Sequence, residues 1–294
     1  MKLVTYNIQY SLGKDGRYDL ERIADALDGA DVIALQEVER NWPRTGMADQ
    51  PADMAMLLPG YYWVYGPGFD MDASEVAGDG AVINRRRQFG NMILARWPLS
   101  WSRLYTLPQL KSAGQFTMDM PALEAVVDAP GGALRIWSIH LSYLSSRERM
   151  MQLDYLLGLH DHAAASCGAW TGASHFGGDE QWSLGAPPPA APDQAIWMGD
   201  FNAEPGGPEY DAIAGANDPL YGRVRYADRF ADAWVSAGND ETDSVTRIGD
   251  RGYPDRRLDY CFVSAGLAER VRSARVDMAA QGSDHQPLWV EMEL

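Results

Sequence analysis

The sequence predicts an α/β protein whose polar side chains gather at one rim of its sheets, and three observations carry this. Short apolar runs bounded by polar punctuation recur along the chain, the pattern of buried strands. Two segments between them show helical spacing instead. The apolar runs also begin or end in carboxylates, carboxamides and imidazoles, which are not ordinary turn residues.

Taken in order, Leu3 to Ile8 reads as the first strand and carries Asn7. Tyr18 to Leu27 is an amphipathic helix, with Leu20, Ile23, Ala24 and Leu27 at i, i+3, i+4 and i+7 and Asp19 as its cap. Val32-Ile33-Ala34-Leu35 is a strand that ends in Gln36-Glu37. A long insertion from Gly66 to Arg87 places Asp70, Asp72, Glu75 and Asp79 ahead of Arg85, Arg86 and Arg87, the densest basic cluster of the chain. The cluster reads either as a solvated loop or as a clamp for an anionic substrate, since guanidinium forks suit phosphate and carboxylate. Leu134 to Ile139 is a strand ending in His140, and Arg147 to about Ala165 is a helix with Leu153, Leu156 and Leu157 inward. The segment from Cys167 to Asp193, with Pro187-Pro188-Pro189, is a long loop. Compact proteins rarely keep two such segments idle, so both are expected to wall the functional site.

The most informative run is Ile196-Trp197-Met198-Gly199-Asp200-Phe201-Asn202, in which a strand would project Asp200 and Asn202 to the same side. Leu258 to Val263 carries Asp259 near its start, and Ser283-Asp284-His285 precedes the apolar run Pro287 to Val290. The groups following Leu35, Ile139 and Met198 lie at strand carboxyl ends, and those at 259 and 284–285 at strand amino ends. Antiparallel placement would bring them all to one rim. Carboxylates and carboxamides there offer hard oxygen ligands for a cation, and an imidazole titrates near neutrality. Oxygen-rich surroundings with few imidazoles, and no Cys or His spacing of zinc type, favour Mg²⁺ or Mn²⁺. These are the parts of a metal-assisted hydrolase.

Composition agrees. A chain of 294 residues with 46% hydrophobic and 22% charged residues is globular, and can bury a large core without disulfides. Ten Trp and fourteen Tyr suit packed sheets and an aromatic-walled pocket. Cys167 and Cys261 are expected as reduced thiols, with Cys261 inside a buried strand. No apolar run approaches the ~18 residues of a membrane span and no leader pattern opens the chain, so a cytoplasmic protein is expected. The formal charge of −16 argues against a generic duplex-DNA binder, which would carry a basic stripe.

These residues carry a resemblance. Thr5-Tyr6-Asn7-Ile8, Leu35-Gln36-Glu37-Val38, Phe89-Gly90-Asn91 through Arg96-Trp97-Pro98, His140-Leu141, Gly199-Asp200-Phe201-Asn202, Leu258-Asp259-Tyr260 and Ser283-Asp284-His285 stand in the order of the endonuclease/exonuclease/phosphatase superfamily. The chain is similar to its small bacterial stand-alone hydrolases along nearly its whole length. The resemblance implies a four-layer αββα sandwich of two mixed sheets, one catalytic domain over residues 1–294, and a Mg²⁺- or Mn²⁺-dependent phosphoesterase. It makes Glu37 the leading metal ligand, with Asn7 and Asp284 beside it. His285 becomes the general base oriented by Asp259; in the alternative, Asp200 takes the proton and protonated His285 stabilises the phosphate. Asn202 is expected to hold a phosphate oxygen or the water, His140 to contact the scissile phosphate, and Asn91 with Arg85, Arg86 and Arg87 to hold substrate. His160, His162 and His175 have no motif support and are expected on the surface or in loops.

The substrate expected is an anionic phosphate ester, preferably a small or lipid-derived phosphodiester, with no obligate protein partner. A nuclease using the same chemistry is the first alternative, distinguished by a basic groove beside the site. A non-catalytic binding module of the same fold is the second, distinguished by gaps in the motif set, and none occurs at Glu37, Asp200, Asn202, Asp259 or His285.

Overall fold

The computed structural model of the protein describes residues 1–173, 177–250 and 252–293. Four strands come first: β1 (Lys2–Asn7), β2 (Val32–Arg40), β3 (Tyr62–Asp72) and β4 (Arg86–Ala95). The chain then builds a second sheet from β5 (Leu99–Thr106), β6 (Pro121–Ala129), β7 (Gly132–His140), β8 (Ala195–Asp200), β9 (Phe230–Asp232) and β10 (Asp259–Ser264). It returns to the first sheet with β11 (Val271–Val276) and β12 (Leu288–Met292). The spatial orders are β11-β12-β1-β2-β4-β3 and β9-β10-β8-β7-β6-β5. Each sheet holds one parallel pair, β1 with β2 and β7 with β8, among antiparallel neighbours.

A parallel pair needs a crossover, and helices supply both. α1 (Leu20–Asp25) links β1 to β2, with the Asp19 side chain capping it by accepting from the Arg22 amide. α2 (Gln50–Leu57) follows β2, and α3 (Ser146–Asp161) links β7 to β8 with Ser145 as its cap. Both helices foreseen from spacing therefore form, somewhat shorter than expected, because the last residues of each turn into tighter or irregular backbone.

Period-two alternation sorts the side chains into three cores. Leu3, Val32, Ala34, Ile93, Ile136, Ile196, Met198, Cys261 and Leu288 meet between the sheets. Val4, Tyr6, Ile33 and Leu94 face outward against Ile23 and Leu27 at α1 and Met54 of α2. Trp137, Trp197 and Phe262 face outward against Leu153 and Leu156 of α3 and Tyr210 and Ile213 of α4 (Pro208–Ala214). The architecture is the four-layer αββα sandwich.

Two segments differ from the sequence expectation. Gly66 to Arg87 is mostly strand: β3 and β4 form an antiparallel hairpin extended by a ribbon pairing Glu75–Val76 with Val82–Ile83. Gly66-Pro67-Gly68 looks like turn punctuation, but β3 is an edge strand, and an edge tolerates proline beside the register shift between Pro67 and Phe69. Among the described residues of the Cys167 to Asp193 segment, both ends lie at the pole opposite Asp200, not at the site. α3 has 16 residues, roughly 24 Å of helix, and carries the chain from the His140 end of the sheet to the start of β8. The loop is pinned to edge strand β5, where Trp101 Nε1 donates to Ala190 O (2.7 Å) and Arg103 donates to Gly168 O (2.8 Å). It covers a sheet edge that would otherwise be open to pairing.

His160 is half-buried, lining an open cavity on one side. It sits on α3 with its ring 4.5 Å from that of Phe230 and 6.1 Å from that of Trp197. His162 is exposed, and His175 lies outside the described residues. Cys261 is a buried free thiol and Cys167 an exposed one. Among the described residues no helix is long and apolar enough to cross a membrane.

Candidate active site

The carboxyl ends of both parallel pairs and the amino end of β10 meet at one rim. Register places Asp200 opposite His140 on one side and Asp259 on the other. Serine and amide side chains lock the sheets together just below. Ser138 Oγ donates to Leu35 O (2.9 Å), and Gln36 Nε2 donates to Ser138 Oγ (2.9 Å). Asn91 belongs to this layer: fully buried, it donates to Ser138 O (2.7 Å) and Pro121 O (3.2 Å) and does not line the cavity above. The expectation that Asn91 holds substrate is corrected accordingly, because its alternation points it between the sheets.

Strained backbone aims the groups at the rim. β2 carries a bulge between Leu35 and Val38, and Glu37 within it has φ +61°, a left-handed conformation uncommon for a side-chain-bearing residue. Gln9, Tyr10 and Asn202, with φ +43°, +44° and +49°, share that region beside the same cavity. Such strain persists where surrounding structure over-determines it, and clusters at functional sites. Asn202 therefore lies past the strand in a turn rather than beside Asp200 on one strand face. Its amide N–H donates to Asp200 Oδ1 (2.9 Å) and its Nδ2 to Leu141 O (3.0 Å).

Asn7 Nδ2 donates to Glu37 Oε1 and Asp200 Oδ2, both at 3.0 Å, so one carboxamide spans the carboxylates of the two sheets. His285 Nδ1 lies 2.8 Å from Asp259 Oδ2, and its Nε2 lies 3.7 Å from Asp200 Oδ2. His140 Nε2 reaches the same Asp200 oxygen at 3.6 Å. Asp284 is half-buried and faces Arg247, whose Nη2 is 3.5 Å from Oδ2. Asp259 is held by its own amide, which donates to Thr246 Oγ1 (2.9 Å), and its Oδ1 has no hydrogen-bond partner among the described residues.

Burial sets the electrostatics, and neighbours modify it. Desolvation, reinforced by Asp259, pushes Asp200 up to about 7. Desolvation also raises Glu37, only partly offset by the Asn7 hydrogen bond. Burial and the neighbouring His285 lower His140 to about 3, so it is a neutral imidazole. Burial opposes charge on His285 too, but Asp259 and Asp200 outweigh it and push it up to about 10.

The donor set fits a hard cation. Buried Asp200 and Asp259 converge with half-buried Glu37, Asp259 Oδ1 is left without a partner among the described residues, and Asp200, Asp259 and His285 offer ligand atoms within 4.8 Å of one another. His285 Nδ1 is committed to Asp259, and the Asn7 carboxamide is held between Glu37, Asp200 and the Gln9 amide.

The rim opens into a cavity of about 360 Å³ that also touches Tyr10, Arg44, Phe89, Met118, Met120, Tyr143 and Arg247. Arg85, Arg86 and Arg87 do not line it. Arg85 pairs with Glu75 (2.7 Å) and Arg86 with Asp70 (2.8 Å) on their own hairpin, while Arg87 lies over Trp42. Two of the acids read as part of a loop, Asp70 and Glu75, are their partners on this hairpin, while Asp72 accepts from Ser74 and Asp79 from the Ala81 amide. The sequence reading missed Arg44, whose signal was an aromatic and basic turn close after Gln36-Glu37. It also missed Arg247, Met118 and Met120, for which no signal existed, since pairing with His285 and the β5–β6 connection bring them in. A second cavity, of about 400 Å³ beside Tyr210 and Arg223, holds no acid–imidazole pair; Arg223 is already paired with Asp211 and Glu241.

Comparison with known proteins agrees with this geometry. The family model described as Endonuclease/Exonuclease/phosphatase family matches residues 4–285. No curated protein matches the sequence. Among solved structures, an endonuclease/exonuclease/phosphatase from Beutenbergia cavernae is similar at 21% identity and TM-score 0.64, covering 100% of this chain and 71% of that one. A Bacteroides thetaiotaomicron mannosyl-6-phosphatase is similar at 16% identity and TM-score 0.60, covering 100% of both chains. D. rerio TDP2, complexed with single strand DNA product, is similar at 18% identity and TM-score 0.60, covering 100% of this chain and 99% of that one. With the family model spanning nearly the whole chain and the fold shared throughout, the chain belongs to the endonuclease/exonuclease/phosphatase family, whose members are typically metal-dependent phosphoesterases.

Proposed function

We propose that the protein is a Mg²⁺- or Mn²⁺-dependent phosphodiesterase acting through one catalytic domain on a small or lipid-derived phosphate ester. The observation that carries the reading is the row Asp259–His285–Asp200, joined through Asn7 to Glu37. Phosphate esters are anionic and repel a nucleophilic oxygen, so a catalyst must neutralise charge and deliver water in line. Glu37, Asn7 and Asp284 would hold the divalent ion, which when bound supplies charge neutralisation and polarises oxygen.

The chain's own residues do the rest. Asp259 fixes the imidazole of His285 and keeps it charged, so His285 presents a cationic Nε2–H to a phosphate oxygen at neutral pH. Asp200, raised to about 7, is poised to accept the proton of the attacking water. Of the two assignments open from sequence, this charge state supports Asp200 as base and His285 as electrostatic stabiliser. Asn202 steadies Asp200 through its backbone, and neutral His140 offers one N–H to the phosphate. Phe89, Met118 and Met120 form an apolar wall that suits an uncharged leaving group. The acidic chain, with Arg85 and Arg86 paired to carboxylates and the whole Arg85–Arg87 cluster away from the cavity, supports a small substrate over a duplex.

Hydrolysis of bis-p-nitrophenyl phosphate, p-nitrophenyl phosphate, a phospholipid and an oligonucleotide, each with Mg²⁺ and with Mn²⁺, tests the reading. EDTA is expected to abolish turnover and either ion to restore it, and Glu37→Ala to weaken ion binding while leaving the far-ultraviolet circular dichroism unchanged. Full activity after exhaustive chelation would overturn it, and cleavage of the oligonucleotide alone would shift the assignment to a nuclease.

A further inference from the structure

Arg44 stands in the cavity wall in a state unlike the other cation there. Arg247 is shared between Asp284 (3.5 Å) and Asp250 (3.1 Å). Arg44 is immobilised from three directions. Its Nε and Nη2 both donate to Glu39 Oε2, at 2.9 and 2.6 Å, and the Glu39 side chain is fully buried. Thr45 Oγ1 donates to the other Glu39 oxygen at 2.6 Å, so the carboxylate is fixed as well. Two rings stack on the guanidinium, the Tyr10 and Trp42 ring centroids lying 3.8 Å and 4.5 Å from its central carbon. Trp42 is itself anchored by Nε1 donating to Gln88 O (2.8 Å) and by packing on Phe69.

One edge of the fork remains. Nη1 has no hydrogen-bond partner among the described residues, yet the residue lines the cavity that holds Glu37, Asp200 and His285. A guanidinium held this way has lost its freedom before any ligand arrives, so little further entropy is spent when an anion docks. The same clamp prevents it from swinging toward the row of Asp200 and His285. The anion it meets is therefore one set apart from the reacting phosphorus.

We propose that the Tyr10–Arg44–Trp42 clamp is a second anion subsite, selecting esters that carry a phosphate or carboxylate in addition to the scissile group. This rests on the phosphoesterase reading above. The same chemistry arises in a small doubly charged metabolite and in the neighbouring phosphate of a short oligonucleotide.

The test uses a matched pair with one leaving group: bis-p-nitrophenyl phosphate, and p-nitrophenyl 4-carboxyphenyl phosphate, which adds a remote carboxylate. The wild type is expected to show a KM about tenfold lower for the carboxylate ester, the worth of one charge-assisted hydrogen bond. Arg44→Gln should bring the KM ratio close to one with kcat for the two esters falling equally or not at all, and Arg44→Lys should keep part of the preference. Glu39→Gln, which leaves Arg44 present but loosely held, should give an intermediate ratio. TpT against TpTpT asks whether a neighbouring phosphate is read in the same way, and a preference confined to that pair assigns the subsite to an oligonucleotide. If Arg44→Gln raises KM equally for both esters, Arg44 touches the scissile phosphate and the proposal falls. If it lowers Tm and leaves the ratio intact, Arg44 only neutralises Glu39 and the proposal falls. Calorimetric binding of the corresponding unreactive phosphonates reads the same preference without turnover. A protein that hydrolyses neither ester therefore refutes the proposed function, while the Kd ratio still decides the subsite.

Discussion

At the scale of single residues, the site is a set of charges whose ionisation is decided by burial and by one another. Asp259 and Asp200 flank His285, so the imidazole is cationic across the neutral range and becomes neutral only near pH 10. Asp200, raised to about 7, is protonated below that pH and available as a base above it. A cation at Glu37 favours the ionised carboxylate, so kcat/KM should rise through an acid limb at or below about pH 7 and fall through about pH 10. An activity that climbs through about pH 10 would transfer the base to His285. His285→Ala should lower kcat by roughly 10²–10³, the usual worth of one preorganised donor that stabilises transition-state charge. Asp259→Asn should cost less, and the double variant should be far from additive because both act through one ring. Additive losses on an activated diester would mean that the two side chains work separately.

At the scale of elements, catalytic geometry is stored in how strands end. Gly199 has φ +151° and pairs with Ile139 in β7, and a Cβ there would land on the Ile139 carbonyl oxygen. Gly199→Ala should cost at least about 1–3 kcal/mol from backbone strain and displace Asp200, its neighbour. Denaturant unfolding and turnover together check this, and unchanged values in both would show that the strand end is slack. The β3–β4 hairpin gives the opposite expectation. Arg85 and Arg86 pair with Glu75 and Asp70 at its surface, and such exposed pairs contribute little. Replacing Arg85, Arg86 and Arg87 together by Ala should leave KM within about twofold, since none lines the cavity; a KM raised tenfold would return the cluster to the substrate.

At the scale of the whole molecule, three apolar layers hold the two sheets in the alignment the rim requires. Beneath the β10 end a buried ion pair adds a specific tie: Arg257 donates to Asp232 Oδ2 at 2.6 Å, and Tyr210 donates to the same oxygen at 2.9 Å. Both ionic side chains are almost wholly buried. Removing one partner leaves an uncompensated charge, so Arg257→Ala should destabilise the fold by about 3–5 kcal/mol. Equilibrium unfolding reads this directly, and a loss below about 1 kcal/mol would mean that water reaches the Asp232 carboxylate.

The sequence by itself determined the strands that carry chemistry, the two helices with apolar stripes, and the residues Asn7, Glu37, His140, Asp200, Asn202, Asp259, Asp284 and His285 that meet at the rim. These were legible because apolar runs buried on both faces end abruptly in polar groups, and that contrast survives in one dimension. Edge strands were not legible: the strand Tyr62–Asp72 is partly exposed and tolerates Gly66-Pro67-Gly68, so its part from Gly66 onward reads as an insertion. Asn91 looked like a binding residue, because sequence cannot say whether a polar side chain points into a cavity or into the seam between sheets. Arg44, Arg247, Met118 and Met120 reach the cavity only through tertiary packing. Their neighbours in space are distant in sequence, and no local pattern records which pole of a sheet a connection will reach.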